Sequence, residues 1–138
     1  MTTANEIIER TIRANTLEEQ SIAINAMVGE CHGRSYAAGW YHDPITRQPV
    51  VRNVGEMLAL IHSEISEGLE GQRKNLNDTH LPHRKMIEVE LADALIRICD
   101  LAGYLKLDLG GAYREKLLYN ETREDHKRET RADGGKAF

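Results

Sequence analysis

The sequence predicts an all-α fold, an antiparallel bundle of four to five helices. Aromatic residues are only 5% of the chain and there are three prolines, whereas strands favour aromatic and β-branched side chains. Helix-start signals recur in Thr3-Ala4-Asn5-Glu6, Thr16-Leu17-Glu18-Glu19 and Asn53-Val54-Gly55-Glu56. Apolar residues follow them at helical rather than alternating spacing.

The first capping box predicts a helix over about residues 4–14, and the second predicts another over about 17–31. Leu17, Ile22, Ile24, Ala26, Met27 and Val28 form the apolar face of the second helix, and Gly29 and Gly33 mark its end. Residues 32–53 read as irregular. Gly33, Gly39 and Pro44 interrupt the periodicity, and Asp43-Pro44 favours a turn. The only tryptophan, Trp40, lies here beside Tyr41.

Asn53 caps a helix over about 54–74. Met57, Leu58, Leu60, Ile61, Ile65, Gly68 and Leu69 cover an arc of about 180° on its wheel. Glu64 falls inside that arc and Glu67 at its edge. A charge placed among core residues is costly unless it is paired. Residues 75–81 read as a loop, and Pro82 suits the first turn of a helix reaching about 105. That helix is apolar around most of its circumference. The exception is a stripe of Glu90, Asp93, Arg97 and Asp100 within about 80°. Asp108 caps a last helix over about 109–124, with Gly110 and Gly111 weakening its first turn. Tyr113, Lys116, Asn120 and Arg123 share one side of it. Residues 1–124 therefore read as a single helical domain and 125–138 as a polar tail.

A net charge of −4 argues against broad nucleic-acid binding. No apolar run approaches about 18 residues, so neither a membrane span nor a membrane partner is expected. The charged N-terminus shows no signal-peptide core. Cys31 and Cys99 are far apart, without a C-x-x-C context, and read as reduced thiols of a cytoplasmic protein.

The chemistry centres on Glu64 with Glu67, and on Glu90 with Asp93. Residues three apart on a helix are neighbours, so each pair projects from one face. Two such helices packed together would gather four carboxylates, which cannot all stay ionised without a cation. Hard oxygen ligands suit Mg²⁺ first, with Mn²⁺ as a substitute. The plainer alternative is an ion-pair network in which Arg97 holds Asp93 and Asp100. A di-iron centre would call for Glu-x-x-His pairs, and the sequence has none. Lys116, Asn120 and Arg123 read either as an exposed helix face or as a phosphate clamp. Trp40 is suited to stacking on a base or to anchoring a subunit interface. The apolar 82–105 helix calls for a further copy to cover it, most simply in a homodimer.

The runs LIHSEISEGLEGQRK at 60–74, EVELADALIRICDLAG at 88–103 and KLLYNETR at 116–123 resemble the MazG-like all-α NTP pyrophosphohydrolase superfamily. The resemblance covers about residues 54–138. It implies metal ligands at Glu64, Glu67, Glu90 and Asp93, which would also be the catalytic carboxylates. It implies substrate-phosphate contacts at Lys116, Asn120 and Arg123. The tail RADGGK resembles a basic, glycine-containing C-terminal stretch of some members, which gives Lys136 a closing role. The HGRSYAAGWYHDP region departs from the pattern and leaves the base open. The resemblance further implies Mg²⁺ dependence, a homodimer or homotetramer, and conversion of (deoxy)nucleoside triphosphates to monophosphate and pyrophosphate. The alternative is a non-catalytic helical oligomer that senses a nucleotide or a partner.

Overall fold

The computed structural model describes residues 3–134. Among them the chain is helical, with α1 Ala4–Ala37, α2 Val54–Lys74, α3 Met86–Tyr104, α4 Leu109–Thr122 and α5 Arg128–Ala132, and a 3₁₀ turn Glu124–His126 before α5. No strand forms among the described residues; two isolated bridges pair His42 with Pro49 and Asn77 with Lys85. No helix among them is long and apolar enough to cross a membrane. Two compact units result. One is Met27–Leu107; the other joins the residues up to Ala26 with those from Asp108 onward.

The expected break between a helix over 4–14 and another over 17–31 does not occur. The Thr3 box forms as expected: Thr3 N donates to Glu6 Oε2 at 2.7 Å, and Glu6 N donates to Thr3 Oγ1 at 3.2 Å. The Thr16 box does not, because Thr16 Oγ1 donates back to the Ile12 carbonyl at 3.0 Å and the helix runs on through it. The helix also passes Gly29 and Gly33 and ends at Ala37, so residues 32–37 are helical rather than irregular.

In the Met27–Leu107 unit, α2 and α3 pack side by side and antiparallel. Gly71 meets Met86, Gly68 meets Glu90 and Ile87, and Met57 packs with Leu101. Later residues of α2 thus face earlier residues of α3. Asn53 caps α2 as expected, its Oδ1 accepting from Glu56 N at 3.1 Å. Asn75 ends α2 in the left-handed conformation, φ 52°, a conformation that asparagine tolerates better than most residues. Pro82 lies in the connection rather than in a first turn, and α3 starts at Met86. The Asp78 carboxylate organises that connection, accepting from His80 N and Leu81 N. The apolar centre of this unit is Tyr41, Met57 and Leu101, with Val54, Ile61 and Tyr104 against it.

Residues 38–53 are ordered by their own hydrogen bonds. Asp43 Oδ1 accepts from Ile45 N and Thr46 N, and Val50 N donates to the Tyr41 carbonyl. The segment places Tyr41 in the core and leaves Trp40 exposed.

In the other unit, α4 begins at the Asp108 cap, which accepts from Gly111 N at 2.9 Å. Asn25 Nδ2 donates to Asp108 Oδ1, and Asn25 Oδ1 accepts from Gly110 N at 2.8 Å. A Cβ on Gly110 would lie 2.1 Å from the Ser21 carbonyl oxygen, so the glycine permits a backbone contact between α1 and α4. Arg114 pairs with Glu18 and Arg13 with Glu121 across the same two helices.

Candidate metal centre

Glu64 projects from the α3-facing side of α2, and Glu90 and Asp93 from one side of α3. Carboxylate oxygens of the three lie within 4.8 Å of one another. Glu64 and Glu90 are both 7% exposed, and Asp93 is the most open of the three. Gly68 packs beside Glu90, where an added Cβ would stand in ordinary contact with Glu90 Cβ at 3.4 Å. Antiparallel packing sets one acidic turn of α2 against one acidic turn of α3.

Bringing carboxylates together out of water raises their proton affinity. Glu90 is pushed up from the ordinary 4.5 to about 7, first by burial, then by its hydrogen bond with Glu64, then by the charges of Glu67, Glu64 and Asp93. Asp93 is also raised, by burial and by the charges of Glu64 and Asp78, with Arg97 opposing. Hard anionic oxygens crowded into a half-dry site are the donor set that a divalent cation requires.

Two acidic residues flank the three. Glu67 is exposed and its oxygens are not part of the convergent group, yet its charge acts on Glu90. Asp78 is buried at 8% and acts on Asp93. The sequence pattern places Asp78 only in an anonymous loop; the Asx-type turn that buries it was the available signal.

Arg97 does not hold Asp93 and Asp100 along its own helix. Its Nε donates to Glu64 Oε1 across the α2–α3 contact. Asp100 instead accepts on Oδ1 from Tyr41 Oη at 2.7 Å and pairs there with His32 Nδ1 at 2.9 Å. Burial, and then the bond to Asp100, push the Tyr41 phenol well above its ordinary range. His32 and Tyr41 belong to segments without apolar periodicity toward α3, so a helical wheel could not pair them with Asp100.

A cavity of about 460 Å³ opens beside the carboxylates and is lined by Glu64, Asp93, Arg97 and Asp100, together with Trp40 and Arg52. Arg52 bonds the Trp40 carbonyl at 2.9 Å and lies over the Tyr41 ring. Trp40 thus shares a cavity with the acidic cluster. Nothing in the sequence marks Arg52, which is one cation in an irregular stretch.

Lys116, Asn120 and Arg123 belong to the other unit. Lys116 Nζ lies 4.6 Å from the Tyr119 ring centroid, and Asn120 Oδ1 is buried without a hydrogen-bond partner. Arg123 follows the last turn of α4 and turns its fork onto Asp125, bonding it through Nε and a terminal nitrogen. This holds the Asp125 carboxyl below the usual range. Lys136 lies outside the described residues. Comparison of the chain with protein-family models, with curated proteins and with solved structures matched none of them.

Proposed function

We propose that this protein is a Mg²⁺-dependent nucleotide pyrophosphohydrolase, converting (deoxy)nucleoside triphosphates to monophosphate and pyrophosphate. The observation that carries the reading is the convergence of Glu64, Glu90 and Asp93 at the edge of a cavity that also holds Trp40. The MazG-like pattern of the sequence supports the same activity.

The three carboxylates fit a hard divalent cation, since two of them are buried and all donors are oxygen. They would hold Mg²⁺, with Glu67 and Asp78 as flanking charges; Mn²⁺ suits the same donors. A cation held there would supply positive charge against triphosphate oxygens and would lower the pKa of a nearby water. Glu64 and Asp93 face the cavity and direct the attacking water toward phosphorus, and a carboxylate of the cluster accepts its proton. Arg97 holds Glu64 in place. Trp40 offers an exposed indole face on which a base can stack. Lys116, Asn120 and Arg123 are proposed as phosphate contacts on the sequence pattern alone.

A homodimer, or a homotetramer built from it, completes the proposal. Leu91, Leu95 and Ile98 on α3 and Leu58, Ile65 and Leu69 on α2 stay exposed, an amount of apolar surface that a second copy would cover.

The experiment is incubation with Mg²⁺ and a panel of NTPs and dNTPs, alongside Glu64→Gln and Asp93→Asn. Turnover that both variants lose while keeping their helicity supports the reading. Nucleotide binding without product, seen as Mg²⁺-dependent thermal stabilisation, would instead identify a nucleotide-sensing module.

A further inference from the structure

Cys31 and Cys99 are far apart in the sequence, and folding brings the turns of α1 and α3 that carry them together. Within the Met27–Leu107 unit, the end of α1 lies against α3. His32 Nδ1 meets Asp100 Oδ1 at 2.9 Å. A Cβ on Gly103 would lie 2.4 Å from His32 Cβ, so the two helices approach as closely as glycine allows at that point. Each cysteine immediately precedes one member of the His32–Asp100 pair, so the contact between the two helices carries both thiols, and the neighbouring Cys31 adds to the effect of burial in raising the Cys99 thiol. Both are free thiols.

We propose that Cys31 and Cys99 form a dithiol–disulfide couple, a modification site at which a peroxide joins α1 to α3. The inference is independent of the hydrolase reading.

The two thiols differ in access. Cys99 is 1% exposed, whereas Cys31 is half-buried, so an oxidant reaches Cys31 first. Burial also raises the Cys99 thiol, with smaller contributions from Cys31, which keeps it protonated and slow toward peroxide on its own. The Cys31 sulfur attacks one peroxide oxygen, the O–O bond breaks, and one water leaves; Cys31 becomes a sulfenic acid. The Cys99 sulfur then attacks the Cys31 sulfur. The S–S bond forms, the S–O bond breaks, and the departing hydroxide takes the Cys99 proton and leaves as a second water. The two thiols give up two electrons and two protons, and the peroxide becomes two waters. The bond lies one residue before Asp100, which lines the cavity, and it fixes the end of α1 to the helix that carries Glu90 and Asp93.

The test is to treat the full chain with hydrogen peroxide, block remaining thiols in denaturant, and map the peptides by mass spectrometry. The expected product is a single chain that has lost two hydrogens, carries a peptide linking Cys31 to Cys99, and is restored by dithiothreitol. Its melting temperature should exceed that of the reduced protein by roughly 5 °C or more, because the cross-link restricts the unfolded chain. Cys31→Ser and Cys99→Ser should each abolish the two-hydrogen loss. The proposal is overturned if Cys99 remains alkylatable while Cys31 passes to sulfinic acid. It is equally overturned if the only disulfides join separate chains. Peptide mapping of the unsubstituted protein decides the matter even where a serine variant does not fold.

Discussion

Arg97 on α3 donates from Nε to Glu64 Oε1 on α2, at 2.5 Å, and so supplies a cation to the carboxylate cluster. Glu64 is nearly buried while Arg97 keeps substantial contact with water. Arg97→Gln leaves Glu64 without its charged donor among Glu90 and Asp93. In EDTA this variant should be less stable by roughly 1–3 kcal/mol, the range for a buried group stripped of its partner. Mg²⁺ should recover more stability in the variant than in the parent, because it takes over the role of the guanidinium. Urea unfolding with and without Mg²⁺ reads both effects. An equal Mg²⁺ response in the two proteins would separate Arg97 from the metal site.

Glu90 sets the pH dependence of the metal-free protein. Its folded-state value, about 7, lies above the ordinary 4.5, so the native state holds a proton that the unfolded state has released between those values. The stabilising contribution is complete below about pH 4.5 and is lost as pH rises through about 7. Asp93, raised for similar reasons, acts in the same direction. Urea midpoints in EDTA should therefore carry a component falling from pH 5 to pH 8. Glu90→Gln should remove most of it, and Mg²⁺ should counter it at pH 8. A component of opposite sign that vanishes in Glu90→Gln would contradict the placement of the buried carboxylate.

Glycine positions divide into two kinds with opposite expected signs. Gly29 and Gly33 sit in the α1 helix, and a Cβ added at either would meet nothing within 4 Å, so alanine at either should stabilise by roughly 0.5–1 kcal/mol. At Gly110 an added Cβ would meet the Ser21 carbonyl oxygen at 2.1 Å, and alanine there forces backbone apart, costing about 2 kcal/mol or more. Thermal melts of the three variants should order themselves accordingly.

The apolar faces of α2 and α3 predict association. Light scattering at micromolar concentration should return a dimer or tetramer mass. Leu91→Glu with Leu95→Glu should shift it toward the monomer while helicity is retained, since both side chains are about half exposed in the single chain. A monomeric mass for the unsubstituted protein would leave those faces unexplained.

Most of the helical architecture was legible because local signals and periodicity agreed. Asn53 and Asp108 cap α2 and α4 where their sequence pattern places them, and α2 spans the expected residues. The misread boundaries share a cause: Thr16 and Pro82 each have a local alternative to capping or opening a helix. Thr16 bonds back to Ile12, and Pro82 is held in the Asp78-centred connection, where its carbonyl accepts from Asn77. Four carboxylates were expected on facing helical stripes; Glu64, Glu90 and Asp93 converge, and Glu67, at the edge of its arc, stays exposed outside the group. The partners of Arg97 and Asp100 were not legible, because a wheel describes one helix and these contacts join two segments. Arg52 and Asp78 lie in connections, where no period marks a side chain that turns inward. The nearness of Cys31 and Cys99 follows from how α1 meets α3, which no spacing in the chain encodes.

The most direct test of the central claim is the identity of the products. With Mg²⁺ present, phosphorus NMR of the reaction mixture should show nucleoside monophosphate and pyrophosphate in equal amounts from at least one triphosphate of a panel covering all bases and both sugars. Reaction in ¹⁸O-labelled water should place the label in the monophosphate, marking attack at the α-phosphorus. Glu64→Gln and Asp93→Asn should show neither product. Orthophosphate release, or no product from any triphosphate while Mg²⁺ and nucleotide still bind, would contradict the account.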